Sequence, residues 1–151
     1  MEPIEELRYL ILGAQREGAR ILAELLKPSG LTAAQAEVLA VLRDAGGPLT
    51  VREIGERLVC EGGSPSRLVA SVAAAGLVER GQREGDRRAV ELTLTAAGAR
   101  AAEQVAGVEQ TLHAGLSAAL TERQVDALVT GLRRLVHERP AGAAIARRAR
   151  R

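Results

Sequence analysis

The stretch from Gly76 to Thr95, GLVERGQREGDRRAVELTLT, sets Arg80, Arg83, Arg87 and Arg88 among glycines and acids between two short apolar runs. A guanidinium presents its donors in a planar fork that matches phosphates and the acceptor edges of bases, so the chemistry on offer is recognition of an oxyanion or a base edge. A second set of donors precedes it, where Ser64, Ser66, Arg67 and Ser71 alternate with the inward-facing Leu68, Val69 and Val72. Other chemistries lack their parts. No nucleophile, base and orienting group recur together, no glycine loop cradles a phosphate, and the acids sit at caps or exposed helix positions, so no enzyme is expected. His113, His137 and Cys60 are scattered without ligand spacing, and neither a metal nor a cofactor is expected.

The balance of charge divides by region. Residues 1–138 carry 16 basic and 19 acidic groups, a net −3, whereas residues 139–151 carry five arginines and no acid, a net +5. Twenty of the 21 basic residues are arginine, which suits phosphate and base contact. At 151 residues the chain fits one compact unit able to bury about 70% of its unfolded surface. Tyr9 is its only aromatic, so the core must be built from Leu, Val, Ile and Ala, which favours helix over sheet. The single Cys60 excludes an intramolecular disulfide and suits a reducing compartment. No apolar run approaches the roughly 20 residues of a membrane span, and MEPIEEL is no secretory signal, so a cytoplasmic protein without a membrane partner is expected.

Helical periodicity runs from Ile4 to Leu26 and ends in Lys27-Pro28-Ser29-Gly30. Thr32 with Gln35, Thr50 with Glu53 and Thr121 with Gln124 read as N-terminal caps in which hydroxyl and N3 side chain satisfy orphan backbone donors. The first opens a helix closed by Asp44 to Pro48. The second opens a helix with Ile54 and Leu58 inward, and places Cys60 at an inward-facing position where that helix ends. Ser64 reads as an N-cap and Pro65 as the first residue of a helix to Ala75, stopped by Gly76. The period then becomes alternating, with Leu77–Arg80 and the run through Val90, Leu92 and Leu94 as strands joined by a loop over Gly81–Asp86. Thr95 caps a long helix with Ala101, Val105, Val108, Leu112 and Leu116 inward. The last helix carries Val125, Leu128, Val129, Leu132, Leu135 and Val136 on one stripe, and AGAAIARRARR after Pro140 has too little apolar surface to order itself.

Three short helices followed by a two-stranded hairpin make a winged helix-turn-helix, whose last helix can lie in the DNA major groove while the hairpin lies on phosphates or reaches the minor groove. The segments LTAAQAEVLAVL, LTVREIGERL, SRLVASVAAAGLVER and GDRRAVELTLTAAG resemble the multiple antibiotic resistance regulator (MarR) family from about Leu31 to Gly98 without a gap. The resemblance implies a mainly α fold with a small two-stranded β wing, flanked by N- and C-terminal dimerisation helices. The chain then divides into an N-terminal dimerisation helix (1–30), a winged helix-turn-helix DNA-binding domain (31–95), C-terminal dimerisation helices (96–139) and a basic flexible tail (140–151). The apolar stripes at both chain ends agree with a homodimer, because they are too broad for one small winged domain to cover.

The resemblance also implies roles. Recognition-helix contacts fall on Ser64, Ser66, Arg67 and Ser71, with Arg67 able to pair with guanine O6 and N7. In the wing, Arg88 falls where an arginine enters the minor groove and Asp86 where an acid steadies the hairpin, while Arg83 and Arg87 suit phosphates. Ala70 and Ser71 stand where long polar or charged residues are common in the family, and Gly62 and Gly63 occupy the turn before the helix, so direct readout is expected to be sparse. Specificity then comes from wing insertion and DNA shape, or from a helix seated more deeply; the sequence leaves both open. The implied function is a dimeric regulator on double-stranded DNA, a repressor of a pseudo-palindromic operator released by a small aromatic or anionic effector, with Tyr9, Arg16, Arg20 and His113 as the polar lining of its pocket. Alternatives are a winged-helix module for a protein partner, which the low net charge of residues 1–138 allows, and a redox-responsive regulator sensing through Cys60. The arginines Arg147, Arg148, Arg150 and Arg151 suit nonspecific phosphate contacts or a solvated tail.

Overall fold

In the computed structural model, residues 1–60, 63–83 and 86–149 are described, and the side chains of Arg83 and of residues 86–89 lie outside that description. Helix α1 (Pro3–Leu26) opens with proline in its first turn and with Glu5 and Glu6 against the positive end of its dipole. A 3-10 turn over Lys27–Ser29 and Gly30 at φ 68° then reverses the chain. Helix α2 (Ala33–Ala45) starts at a reciprocal box in which Gln35 N–H donates to Thr32 Oγ1 at 3.2 Å and Thr32 N–H to Gln35 Oε1 at 3.1 Å. Every residue of α2 from Ala36 to Leu42 is buried, so it is the helix around which the others assemble.

Strand β1 (Leu49–Thr50) leads into α3 (Val51–Gly55), capped by the Thr50–Glu53 box. Helix α4 (Pro65–Ala74) presents Leu68, Val69 and Val72 to a core that includes Leu39, Ile54 and Leu92. Strands β2 (Val78–Arg83) and β3 (Asp86–Leu94) pair antiparallel, Val78 opposite Leu94 and Arg80 opposite Leu92, with an irregularity at Gln82–Arg83. Helix α5 (Ala96–Ala119) is capped by Thr95, whose Oγ1 accepts from Gly98 N–H at 3.0 Å and whose hydroxyl donates to Gly76 O at 2.7 Å. Helices α6 (Glu122–Val136) and α7 (Pro140–Ala149) complete the chain.

Four expectations are corrected. The wing hairpin forms, but β1 adds to it, giving a three-stranded sheet in the order β1-β3-β2 with Leu49 opposite Leu92. The strands also run further toward the turn than the 77–80 and 81–86 division had them, because β2 continues through Arg83. Helix α3 stops at Gly55, leaving Leu58 only half-buried. The segment expected to be a flexible tail is helical through Ala149: Ala144 is buried, and Arg147 and Arg148 pair with acids far away in sequence.

The C-terminal half of α5 and nearly all of α6 leave their apolar residues open. No residue of α6 is buried, and Leu128, Leu132 and Leu135 are 45%, 43% and 59% exposed. Ile4, Leu7 and Leu10 of α1 and Leu116 of α5 are likewise exposed.

Candidate nucleic-acid interface

Helix α4 owes its position to its inner face and its freedom to the outer one. Val69 and Val72 are fully buried, each contributing about 1.5–3 kcal/mol of transfer free energy. Its N-terminus packs against α3 so closely that a Cβ on Gly55 would meet Pro65 Cγ at 2.9 Å. The opposite face, formed by Ser64, Ser66, Arg67, Ala70, Ser71 and Ala74, is exposed and carries no acid. Among the described residues the Arg67 guanidinium has no hydrogen bond or ion pair, so all its donors face solvent.

The serines differ from one another. Ser64 stands at the N-cap, but its side chain makes no cap hydrogen bond, contrary to the reading of it as a capping hydroxyl. Its hydroxyl is therefore available to an outside acceptor or donor. Ser71 is tied inward: its hydroxyl donates to Leu68 O at 2.7 Å and accepts from Gln35 Nε2 at 3.3 Å. That leaves Ser71 one acceptor lone pair and no donor for a ligand.

Behind α4 stands the sheet, and Arg80 on β2 is exposed with no partner among the described residues. The register sets Arg83 opposite Asp86 at the end of the hairpin. The side chains of Arg83, Asp86, Arg87 and Arg88 lie outside the described residues. Glu79 faces Thr93 across the strands, with Oγ1 to Oε1 at 3.5 Å.

The four residues expected to line an effector pocket are all exposed, three on α1 and one on α5. Tyr9, Arg16 and Arg20 sit on exposed positions of α1, where Arg8 covers the Tyr9 ring at 4.3 Å and Arg20 pairs with Glu17 at 3.1 Å; His113 is exposed on α5. No hydrogen bond or ion pair links any of the four to another. A cavity of about 640 Å³ lies elsewhere, between Leu58, Val59 and Pro65 on one side and Arg139, Ala144 and Arg147 on the other.

Cys60, expected at an inward-facing position, is exposed, because the chain leaves helical geometry after Gly55. Partial burial of the thiol, and then the charge and hydrogen bond of Glu37, push its pKa up, against a smaller lowering by Arg148. A raised pKa means less thiolate at neutral pH, which weakens the case for a sensing cysteine. Iodoacetamide is expected to alkylate Cys60 several-fold more slowly than free cysteine near pH 7, and the rate to climb as pH rises above the ordinary thiol range; a rate equal to or above that of free cysteine would contradict this.

Sequence reasoning missed Glu37. It is buried on α2, and its carboxylate accepts Val59 N–H at 2.7 Å and Cys60 N–H at 2.9 Å and pairs with Arg148 Nη1 at 3.1 Å. The available signal was the run AEVLAVL, apolar on all sides of a helix, in which a lone acid must be buried and therefore partnered. Among the described residues there is no cluster of His, Cys, Asp and Glu fit to hold a metal, and no helix long and apolar enough to cross a membrane.

Comparison with known proteins gives the following likenesses. The profile of the MarR family matches residues 29–89. The multiple antibiotic resistance protein MarR of Escherichia coli (strain K12) is 35% identical over 123 residues, 81% of this chain and 85% of that protein. A crystal structure of a mutant of Escherichia coli MarR complexed with operator DNA superposes with a TM-score of 0.76 at 33% identity, covering 88% of this chain and 95% of that one. BpsR of Bordetella bronchiseptica, whose DNA binding is regulated by 6-hydroxynicotinic acid, shares the fold at a TM-score of 0.77 and 23% identity, covering 91% of this chain and 97% of that one.

Proposed function

The chain belongs to the MarR family of transcriptional regulators, and from that premise we propose that it works as a cytoplasmic homodimer that represses a pseudo-palindromic operator and is released by a small aromatic or anionic effector. The observation that carries the reading is the acid-free outer face of α4, with Arg67 unpaired above a rigidly packed inner face. A two-fold dimer sets two such helices against half-sites roughly one helical turn, about 34 Å, apart. Residues 1–30 and 96–139 supply the dimer interface, and residues 31–95 the DNA-binding unit. The role is binding rather than catalysis.

Within α4, Arg67 reads guanine through O6 and N7. Ser64 and Ser66 serve phosphates or either kind of base edge, and Ser71 contributes at most an acceptor. In the wing, Arg88 enters the minor groove, Arg83 and Arg87 meet phosphates, and Asp86 steadies the hairpin. Sparse side chains at Ala70 and Ala74 leave much of the discrimination to DNA shape. Tyr9, Arg16, Arg20 and His113 line the effector site.

Titration of a labelled operator fragment at several salt concentrations tests the function. Arg67→Ala is expected to weaken operator binding by about 1–3 kcal/mol and to relax selectivity at one base pair per half-site. Steep salt dependence with no preference over random duplex would remove the regulatory reading. Unchanged binding in both Arg67→Ala and Arg88→Ala would favour the alternative of a winged module for a protein partner.

A further inference from the structure

Glu37 joins three parts of the chain at one carboxylate. It stands on α2, accepts the N–H groups of Val59 and Cys60 on the segment that leads to α4, and meets Arg148 from α7. The side chains of Glu37 and Arg148 are 7% and 27% exposed, so the pair is mostly out of water. Arg148 also comes within 3.8 Å of Asp44 Oδ2, and its neighbour Arg147 within 3.6 Å of Glu56 Oε2, at the end of α3. Helix α7 is thus tied to α2 through Glu37 and Asp44 and to the end of α3 through Glu56, the two elements that flank the segment leading to the recognition helix.

The corner that directs α7 there is built rather than loose. Glu138 takes φ 61°, the one non-glycine residue in the left-handed region among the described residues, a conformation that costs about 1–3 kcal/mol and persists only where the surrounding structure offsets it. Gly142 lies so close to Val136 O that a Cβ there would overlap the carbonyl. Both features hold α7 folded back from the end of α6.

We propose that Glu37 and Arg148 form an intrachain latch through which α7 fixes the approach to the recognition helix, so that operator affinity depends on residues that do not touch DNA. A carboxylate is needed because it offers two acceptor oxygens to two successive N–H groups; a carboxamide offers one. Arg148 is needed because a buried carboxylate without its cation is unstable in place and pulls toward water. Both are positioning residues. The inference rests on the DNA-binding reading above for its functional half only.

The full-length protein with Arg148→Ala, Arg148→Lys, Glu37→Gln and the Glu37→Gln/Arg148→Ala pair separates the possibilities. Without DNA, hydrogen exchange at the Val59 and Cys60 amides is expected to accelerate by roughly 10-fold or more in Arg148→Ala, while the amides of α2 keep their protection. With DNA, operator affinity is expected to fall about 10-fold with the salt slope unchanged, Arg148→Lys to recover part of it, and the double variant to lose little more than either single one, because both act through one contact. A salt slope lowered by about one in Arg148→Ala would mean a direct phosphate contact instead and overturn the latch. So would unchanged exchange at both amides, or additive losses in the pair. If Glu37→Gln fails to fold by circular dichroism, exchange in Arg148→Ala alone decides. If the unaltered protein shows no operator preference, the DNA-binding reading fails while the exchange result still decides whether the latch exists.

Discussion

Gly98→Ala is expected to destabilise the protein by about 3 kcal/mol or more, the upper range for an overpacked core, and to lower Tm by about 10 °C in a chain of this size. A Cβ at residue 98 would fall well inside contact distance of the Leu77 carbonyl oxygen and carbon, which are backbone atoms with no rotamer to change. Leu77 O cannot retreat, because it accepts Thr95 N–H at 3.1 Å, and Thr95 Oγ1 in turn holds Gly76 O and Gly98 N–H. The start of α5 is therefore keyed onto the turn between α4 and β2 by two hydrogen bonds from Thr95, to Leu77 O and Gly76 O, and by the close approach of Gly98 to Leu77. Gly107→Ala on the same helix is the matched control: nothing lies within 4 Å of a Cβ there, and helix propensity alone is expected to raise stability by about 0.5–1 kcal/mol. Thermal unfolding of the two variants should move in opposite directions. Equal Tm values would mean that the 76–98 corner is looser than its hydrogen bonds indicate.

That corner also explains why the run from Leu94 to Gly98 was so informative as sequence. Thr95 is a cap and a tie to Gly76 at once, and Gly98 is the only residue small enough for the approach, so the spacing between them is fixed by geometry. The capping pairs were legible for a similar reason: Thr32–Gln35, Thr50–Glu53 and Thr121–Gln124 each close a box over three residues, and all three form. The alternation of Leu68, Val69 and Val72 with Ser66, Arg67 and Ser71 gave the two faces of α4 correctly, because periodicity reports burial directly.

What escaped was non-local. Two residues, Leu49 and Thr50, make no strand pattern by themselves; β1 exists because β3 offers an edge opposite Leu92 and Glu91. The last helix has too few apolar residues to announce itself, and its position comes from Arg147 and Arg148 finding Glu56, Glu37 and Asp44, which lie 91 or more residues earlier in the chain. Ser71 looked free and is tied to Gln35 across α2 and α4, a contact 36 residues apart in sequence. Local patterns thus located the exposed, acid-free face of α4, while the contacts that α2 and α7 make around it were visible only in three dimensions.

The other large effect concerns the surface that the single chain leaves open. Val125, Leu128, Val129, Leu132 and Leu135 lie on one side of α6 at 37–59% exposure, and no residue of that helix is buried, so a chain alone gains almost nothing from having made it apolar. Fully burying one such leucine against a partner contributes about 1.5–3 kcal/mol, and several together with Ile4, Leu7 and Leu116 suffice to hold a dimer. Leu132→Asp places a charge in the middle of that stripe. It is expected to leave the winged domain folded, because the core around α2 contains nothing from α6, but to turn the dimer into a monomer in analytical ultracentrifugation. Operator affinity should then fall by 100-fold or more, since the second half-site is no longer reached at an effective concentration in the millimolar range. Thr130→Asp, on the opposite side of the same helix, adds the same charge and is expected to leave both assembly and affinity in place. Dimers that persist in Leu132→Asp would show that the stripe is not what joins the subunits, and lost affinity in a persisting dimer would point to α6 acting on α4 through α7 rather than through a partner chain.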